Sequence, residues 1–438
     1  MDFYFGERGL DIRQAIDLGA MSRFQVLAVA LCVTLNMLDG FDVLVMAFTA
    51  PEVSREWSLS GAGLGVLLSA GLFGMAGGSL FVAPWADRFG RRAIILLCLG
   101  VITVGMLVSA LAQRPSQLTA LRVLTGIGIG GVLASLNVIT SEYSSRRWRS
   151  TAISLQVTGY PIGATIGGTI AALLITSYGW RSAFLFGAIS SAIMIPVVVH
   201  GLPESLDFLL ARRPPDALQR LNDLLRRMSR PEVSQLPEPP AAEPADRNPL
   251  SRLFRGPAAR STLLIWSAFF LLMFSFYFIT SWTPKLLVAA GMSARQGITG
   301  GVLLNLGGIA GGSLFGYLAS RLPLKRLACW YLGFTAASML LFGVLATDLA
   351  AAFPIALAIG VFLFGSMVGL YAATPMLYPA AIRTTGMGWA IGIGRIGAIL
   401  APVSAGLLVD GGWNTTNLYS AFAVPLVVAV LAVRALRI

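Results

Sequence analysis

Twelve apolar runs, each close to the roughly 20 residues that an α-helix needs to cross a bilayer, recur from one end of the chain to the other. They lie at 24–48, 61–84, 93–112, 117–140, 151–176, 181–201, 262–284, 297–319, 327–347, 351–376, 386–409 and 415–433. A chain so built has lipid as its main solvent. Its backbone polar groups must then be satisfied within each segment, which leaves a helix bundle as the fold. Only 12% of the residues are charged, about half the share usual in soluble domains, which agrees with this reading.

The net charge of +12 raises the question of a nucleic-acid partner, and the placement of the basic residues answers it. Alternate breaks carry Arg88, Arg91 and Arg92; Arg146, Arg147 and Arg149; the ten arginines of 202–260; Arg321, Lys325 and Arg326; and Arg383. Arg8, Arg13, Arg23, Arg434 and Arg437 put both termini with this set, whereas the opposite breaks hold Arg55, Arg114, Arg181, Lys285 and Arg295. Such asymmetry is a topology signal, with the basic side and both termini in the cytoplasm and lipid rather than nucleic acid as the surrounding partner. Cys32, Cys98, Cys329 and the lone His200 have no metal-ligand spacing, so no metal is expected. The mixed charges of the first residues suggest an uncleaved first span rather than a signal peptide.

The one long break, 202–260, contains RRPP at 212–215 and PEPPAAEP at 237–244. It reads as a cytoplasmic linker, partly helical or disordered. This divides the chain into a cytoplasmic segment 1–23, a six-helix bundle 24–201, the linker 202–260, a second bundle 261–433 and a cytoplasmic tail 434–438. The halves repeat: Gly77-Gly78-Ser79-Leu80-Phe81 in span two recurs as Gly311-Gly312-Ser313-Leu314-Phe315 in span eight, each copy followed by a short basic loop. Two pseudo-symmetric bundles that rock about a central site have this layout.

At these residues the chain resembles the major facilitator superfamily over nearly its whole length. Asp87-Arg88-x-Gly90-Arg91-Arg92 is similar to the signature between spans two and three, with Ala83 where the leading glycine is usual. Arg122, with Gly126, Gly128 and Gly130, resembles a span-four motif associated with proton coupling. Asp39-Gly40-Phe41-Asp42 and Gly394-Arg395-Ile396-Gly397-Ala398 resemble elements of the aromatic acid:H⁺ symporter family, supported by Ser141-Glu142-Tyr143 and by Leu202-Pro203-Glu204-Ser205. The resemblance implies a transporter rather than an enzyme, working as a monomer in a bacterial inner membrane. Its implied cargo is a benzoate-like, hydroxybenzoate, protocatechuate or gentisate anion moved with protons, with the proton gradient in place of a cofactor. A proton-coupled drug or sugar carrier, including an antiporter, and a non-transporting sensor of aromatic acids are the competing readings.

Charges inside spans are costly and call for a reason: Asp39 and Asp42 in span one, Arg122 in span four and Arg395 in span eleven. At about 1.5 Å per residue, Asp42 and Arg122 fall at one level, on the order of 8–9 Å from the outer surface, where an ion pair can form. Asp39 and Asp42 are the proton-coupling candidates, with Arg122 modulating them, because a desolvated carboxylate beside a cation can bind and release a proton. Arg395 offers a planar fork to the substrate carboxylate, a part that Arg122 can also fill. Tyr160, Trp389, Phe41, Tyr277 and Asn305 are further candidates for the ring-binding wall, along with Phe276, Trp282, Tyr371, Gln156 and Asn137. Asp87, Arg88, Arg91, Arg92, Glu142, Arg149 and Arg383 stand at the basic mouth and are expected to latch or gate it.

Overall fold

A computed structural model describes residues 16–17, 19–236, 253–254, 257–378 and 380–436. The early arginines Arg8 and Arg13, the segment 237–244, Pro379 and Arg437 lie outside the described residues. Among the described residues, twelve helices are long and apolar enough to cross a membrane: Arg23–Glu56, Gly61–Phe89, Arg91–Ala110, Pro115–Glu142, Arg149–Tyr178, Arg181–Gly201, Ala259–Ala289, Ala294–Ala319, Leu324–Leu345, Leu349–Leu377, Thr385–Asp410 and Thr415–Ala435. They are spans one to twelve below. Most run past the apolar windows, because helical hydrogen bonding continues where hydropathy fades. Span one does so most, through Pro51 to Glu56, and this sets Asp42 deeper than an end at 48 would. Its start is fixed by a capping box, in which Ser22 and Gln25 satisfy each other's backbone donors.

The repeat extends to the packing. Spans two and four touch where a Cβ on Gly78 would sit 2.1 Å from the Ile127 carbonyl oxygen. Spans eight and ten touch in the same way, a Cβ on Gly311 falling 2.0 Å from the carbonyl oxygen of Val361. Gly163 of span five against Met37, and Gly397 of span eleven against Phe270, form a second matched pair. Each contact needs a residue without a side chain, so that two backbones meet. The copies diverge in one respect: span two is wound into a π turn at Gly78–Val82, while Gly311–Phe315 stays α-helical. Pro84, which lacks an N–H, follows in the first copy, and span eight contains no proline.

The halves meet toward the end opposite the basic loops. Span two lies on span eleven, with Gly61 on Gly406, Gly65 on Pro402, and Ser69 donating to the Ile399 carbonyl at 2.7 Å. The Asp410 carboxylate at the end of span eleven accepts from the Gly61 and Ala62 amides, at 2.5 and 2.8 Å, and so caps span two from the other bundle. Gly168 of span five touches Val302 of span eight, and Gly301 touches Phe48 of span one. A second apolar core, around Leu31, Leu136, Val198 and Leu221, belongs to the first half alone and lies at the basic end. Two linker helices, Leu206–Arg212 and Ala217–Arg227, close it from below.

Candidate substrate and proton site

Spans one and four bring Asp42 and Arg122 together, though not as a simple ion pair. Arg122 Nη2 donates to the backbone carbonyl of Asp42 at 2.6 Å, and its Nη1 lies 3.5 Å from the Met106 sulfur. The Phe184 ring stands 6.0 Å from the guanidinium carbon. Arg122, Asp42 and Asp39 are almost fully buried, and Arg122 Nε, Asp42 Oδ1 and Asp39 Oδ2 have no hydrogen-bond partner. Polar atoms so placed are unstable as they stand, which suits groups that exchange protons or water. Beside Arg122 is a void of about 10 Å³ lined by Gly71 and Met75, near the lower limit for one water.

Toward the basic end from the seal lies a cavity of about 290 Å³ between the bundles. Arg395 projects into it from span eleven. Among the described residues no carboxylate lies within 4 Å of its guanidinium, and its electrostatic neighbours are the tyrosines Tyr160, Tyr277 and Tyr371. All three line the cavity, with Phe276 and Phe364 as further aromatic walls and Asn36, Asn137 and Gln156 as amides. Gln156 Oε1 is buried without a partner. An unpaired cation walled by rings and a few amides suits a small aromatic anion in chemistry and size.

Several expected wall residues fall elsewhere. Trp389 is 45% exposed and stacks on Trp266 at 5.8 Å, so it faces outward and is no part of the cavity. Phe41 is spent on packing against Gly167 and the Phe186 ring. Asn305 donates back to the Gly301 carbonyl in its own helix, and Trp282 to that of Pro402. Arg122 sits behind span one, outside the cavity lining, which leaves Arg395 as the guanidinium that an anion in the cavity can reach. Asn36 was not singled out by the sequence. Its place one turn before Asp39, on the same helix face, was the available signal.

At the basic mouth the expected gate residues bind within the first half. Asp87 pairs with Arg91 at 2.9 Å, and Arg88 lies over the Phe89 ring. Glu142 accepts from Ser205 Oγ at 2.8 Å and the Leu206 amide at 2.7 Å, while Arg149 pairs with Asp17 and bonds the Ser141 carbonyl. Both are engaged within the first half, Glu142 by the start of the linker and Arg149 by the N-terminal segment and the end of span four. Arg92 donates to the Val199 carbonyl, and Arg383 is exposed. Glu204 was missed as a hub: it accepts from the Arg91, Arg92 and Ser205 amides, capping span three where Gly90 turns with φ of 101°.

The Major Facilitator Superfamily model matches residues 30–378. A gallate transporter of Pseudomonas putida is 32% identical over 431 residues, covering 97% of this chain and 95% of its own. The 4-hydroxybenzoate transporter PcaK of the same organism is also 32% identical, with 97% and 95% covered. The chain belongs to the major facilitator superfamily, in its family of aromatic acid transporters. The superfamily fold is matched by a D-xylose-proton symporter, at a TM-score of 0.71 and 15% identity over 93% of this chain and 96% of that one. A bacterial homolog of the human lysosomal transporter Spinster gives a TM-score of 0.71 at 17% identity, over 95% and 96%. This major facilitator is therefore a multi-pass membrane transporter and not an enzyme.

Proposed function

We propose that this transporter imports a small hydroxylated or unsubstituted aromatic monocarboxylate together with protons, by alternating access. The observation that carries the reading is Arg395, a guanidinium with no carboxylate partner among the described residues, facing a cavity of tyrosines and phenylalanines between the two bundles. The substrate carboxylate docks on Arg395 while the ring lies among Tyr160, Tyr277 and Phe276. Relatives named for gallate and 4-hydroxybenzoate support this class of cargo.

Protons enter through Asp39 and Asp42. Asp39 lies within electrostatic reach of Tyr160, which lines the cavity, and of Asp42, which Arg122 holds by its carbonyl. Protonation removes the charge that otherwise resists closing a dry site. The cavity lies on the basic side of the seal, the side that the arginine asymmetry assigns to the cytoplasm, and release of cargo to that side fits this placement. At least two protons per monoanion give net inward positive charge, which the membrane potential then drives. The carrier needs no cofactor and works as a monomer in the bacterial inner membrane with both termini inside.

Proteoliposome uptake tests this. An inward proton gradient should drive accumulation of labelled 4-hydroxybenzoate or gallate, and a protonophore should abolish it. Gradient-driven efflux of hydrophobic drugs, or saturable binding with no counterflow, would instead favour a drug antiporter or a sensor.

A further inference from the structure

The two bundles differ at one pair of matched positions, on the lipid-facing side of the basic end. In the first half, Arg92 at the start of span three and His200 at the end of span six line a pocket of about 490 Å³. The chain covers that corner itself: Glu204, from the turn after span six, and Asp223, Arg220 and Arg227, from the linker helix Ala217–Arg227, line the same pocket, so that acids of the chain stand beside its cations. In the second half the repeat puts Lys325 and Arg434 at the equivalent places on spans nine and twelve. With Arg326, Cys329, Trp330 and Val430 they line a pocket of about 620 Å³.

No acid of the described residues lines this second pocket or pairs with its cations. Lys325 Nζ donates to the Leu436 carbonyl, and among the described residues neither Arg326 nor Arg434 has an ion pair. Both Lys325 and Arg434 act electrostatically on the Cys329 thiol, so the two charges converge over one spot. Trp330, 53% exposed, stands beside them as an interfacial aromatic does. The floor is apolar and the rim triply positive.

We propose that this corner between spans nine and twelve is a binding site for an anionic phospholipid, which occupies the place that the turn after span six and the linker helix occupy in the first half. The phosphodiester sits among Lys325, Arg326 and Arg434, with Trp330 at glycerol level and the acyl chains along Val430. Phosphate chemistry is common to lipid and soluble anions, and the lipid is favoured because the apolar floor continues the membrane-facing surface of the two helices. The site is remote from Arg395, so it makes no contribution to cargo recognition.

Native mass spectrometry of the full-length protein titrated with phosphatidylglycerol and phosphatidylcholine tests the proposal, beside the triple variant Lys325→Ala, Arg326→Ala, Arg434→Ala. The wild type should retain bound phosphatidylglycerol preferentially, and the triple variant should lose that adduct by roughly tenfold or more. A charge-keeping variant, Lys325→Arg with Arg434→Lys, should restore it and guards against a folding defect. Undiminished phosphatidylglycerol binding in the triple variant overturns the site. So does equal retention of phosphatidylcholine, or displacement of the lipid by glycerophosphate at matched concentration, which would mark a soluble-phosphate site instead.

Discussion

Arg122 holds Asp42 by its main chain, at 2.6 Å from Nη2 to the carbonyl oxygen, and leaves carboxylate atom Oδ1 without a hydrogen bond. The tie between spans one and four is thereby separated from the ionisation of Asp42. A carboxylate locked in a bidentate pair would resist protonation, whereas this one can change charge without breaking the contact.

The two partners should therefore behave differently on substitution. Asp42→Asn keeps the carbonyl acceptor and should fold with a melting temperature near wild type, yet lose proton-driven accumulation while retaining substrate counterflow. Arg122→Ala removes a charge-assisted hydrogen bond between spans one and four and should lower stability by about 1.5–3 kcal/mol. Thermal unfolding in detergent, paired with proteoliposome flux, reads both. A proton-driven Asp42→Asn carrier would remove this carboxylate from the coupling scheme.

With Arg395 as the proposed anion contact, Arg395→Ala should weaken aromatic-acid binding by on the order of tenfold to a hundredfold, the range of a lost charge-assisted hydrogen bond. Arg395→Lys should recover only part of it, since an ammonium lacks the planar fork. Thermal-shift titration with 4-hydroxybenzoate measures the difference. Equal stabilisation of wild type and the alanine variant contradicts the assignment.

Trp389 and Tyr160 offer a contrast within the ring wall. Trp389→Ala lies outside the cavity, stacked on Trp266, and should change binding less than about twofold, as expected of a residue with no ligand contact. Tyr160→Ala removes a lining aromatic and should raise KM several-fold. Michaelis–Menten uptake kinetics on the two variants distinguish them.

Asp410 caps span two from the opposite bundle, and Asp410→Ala should cost the closed seal about 1 kcal/mol, the worth of an N-cap. The equilibrium would move about fivefold toward the state closed at the basic end. Spin-label distances between positions 148 and 322, both exposed at that end, should then show a larger short-distance population. An unchanged distribution would mean that the glycine contacts alone set the balance.

The helix count, the basic asymmetry and the duplication were legible because lipid imposes them on every segment of the sequence. Hydropathy sees Asp39, Asp42, Arg122 and Arg395 at once, since each is an exception in an apolar run. Side-chain direction was far less legible. Trp389 and Tyr160 look alike in sequence, each beside a motif, and only the rotation of spans eleven and five separates an outward ring from a lining one. The partners of Glu142 and Arg149, Ser205 and Asp17, could not be read in advance because they come from segments of weak hydropathic pattern. Glu204 stayed hidden for the same reason: its acceptors' partners are main-chain amides, which no residue pattern advertises.

Where Gly61 meets Gly406, bare main chain rests on bare main chain, with the Asp410 carboxylate beside it. Such a joint can part without dragging bulky groups out of sockets or leaving voids behind, and Asp410 can trade its two amides for solvent once separated. Turnover then demands little repacking at this end of the transporter.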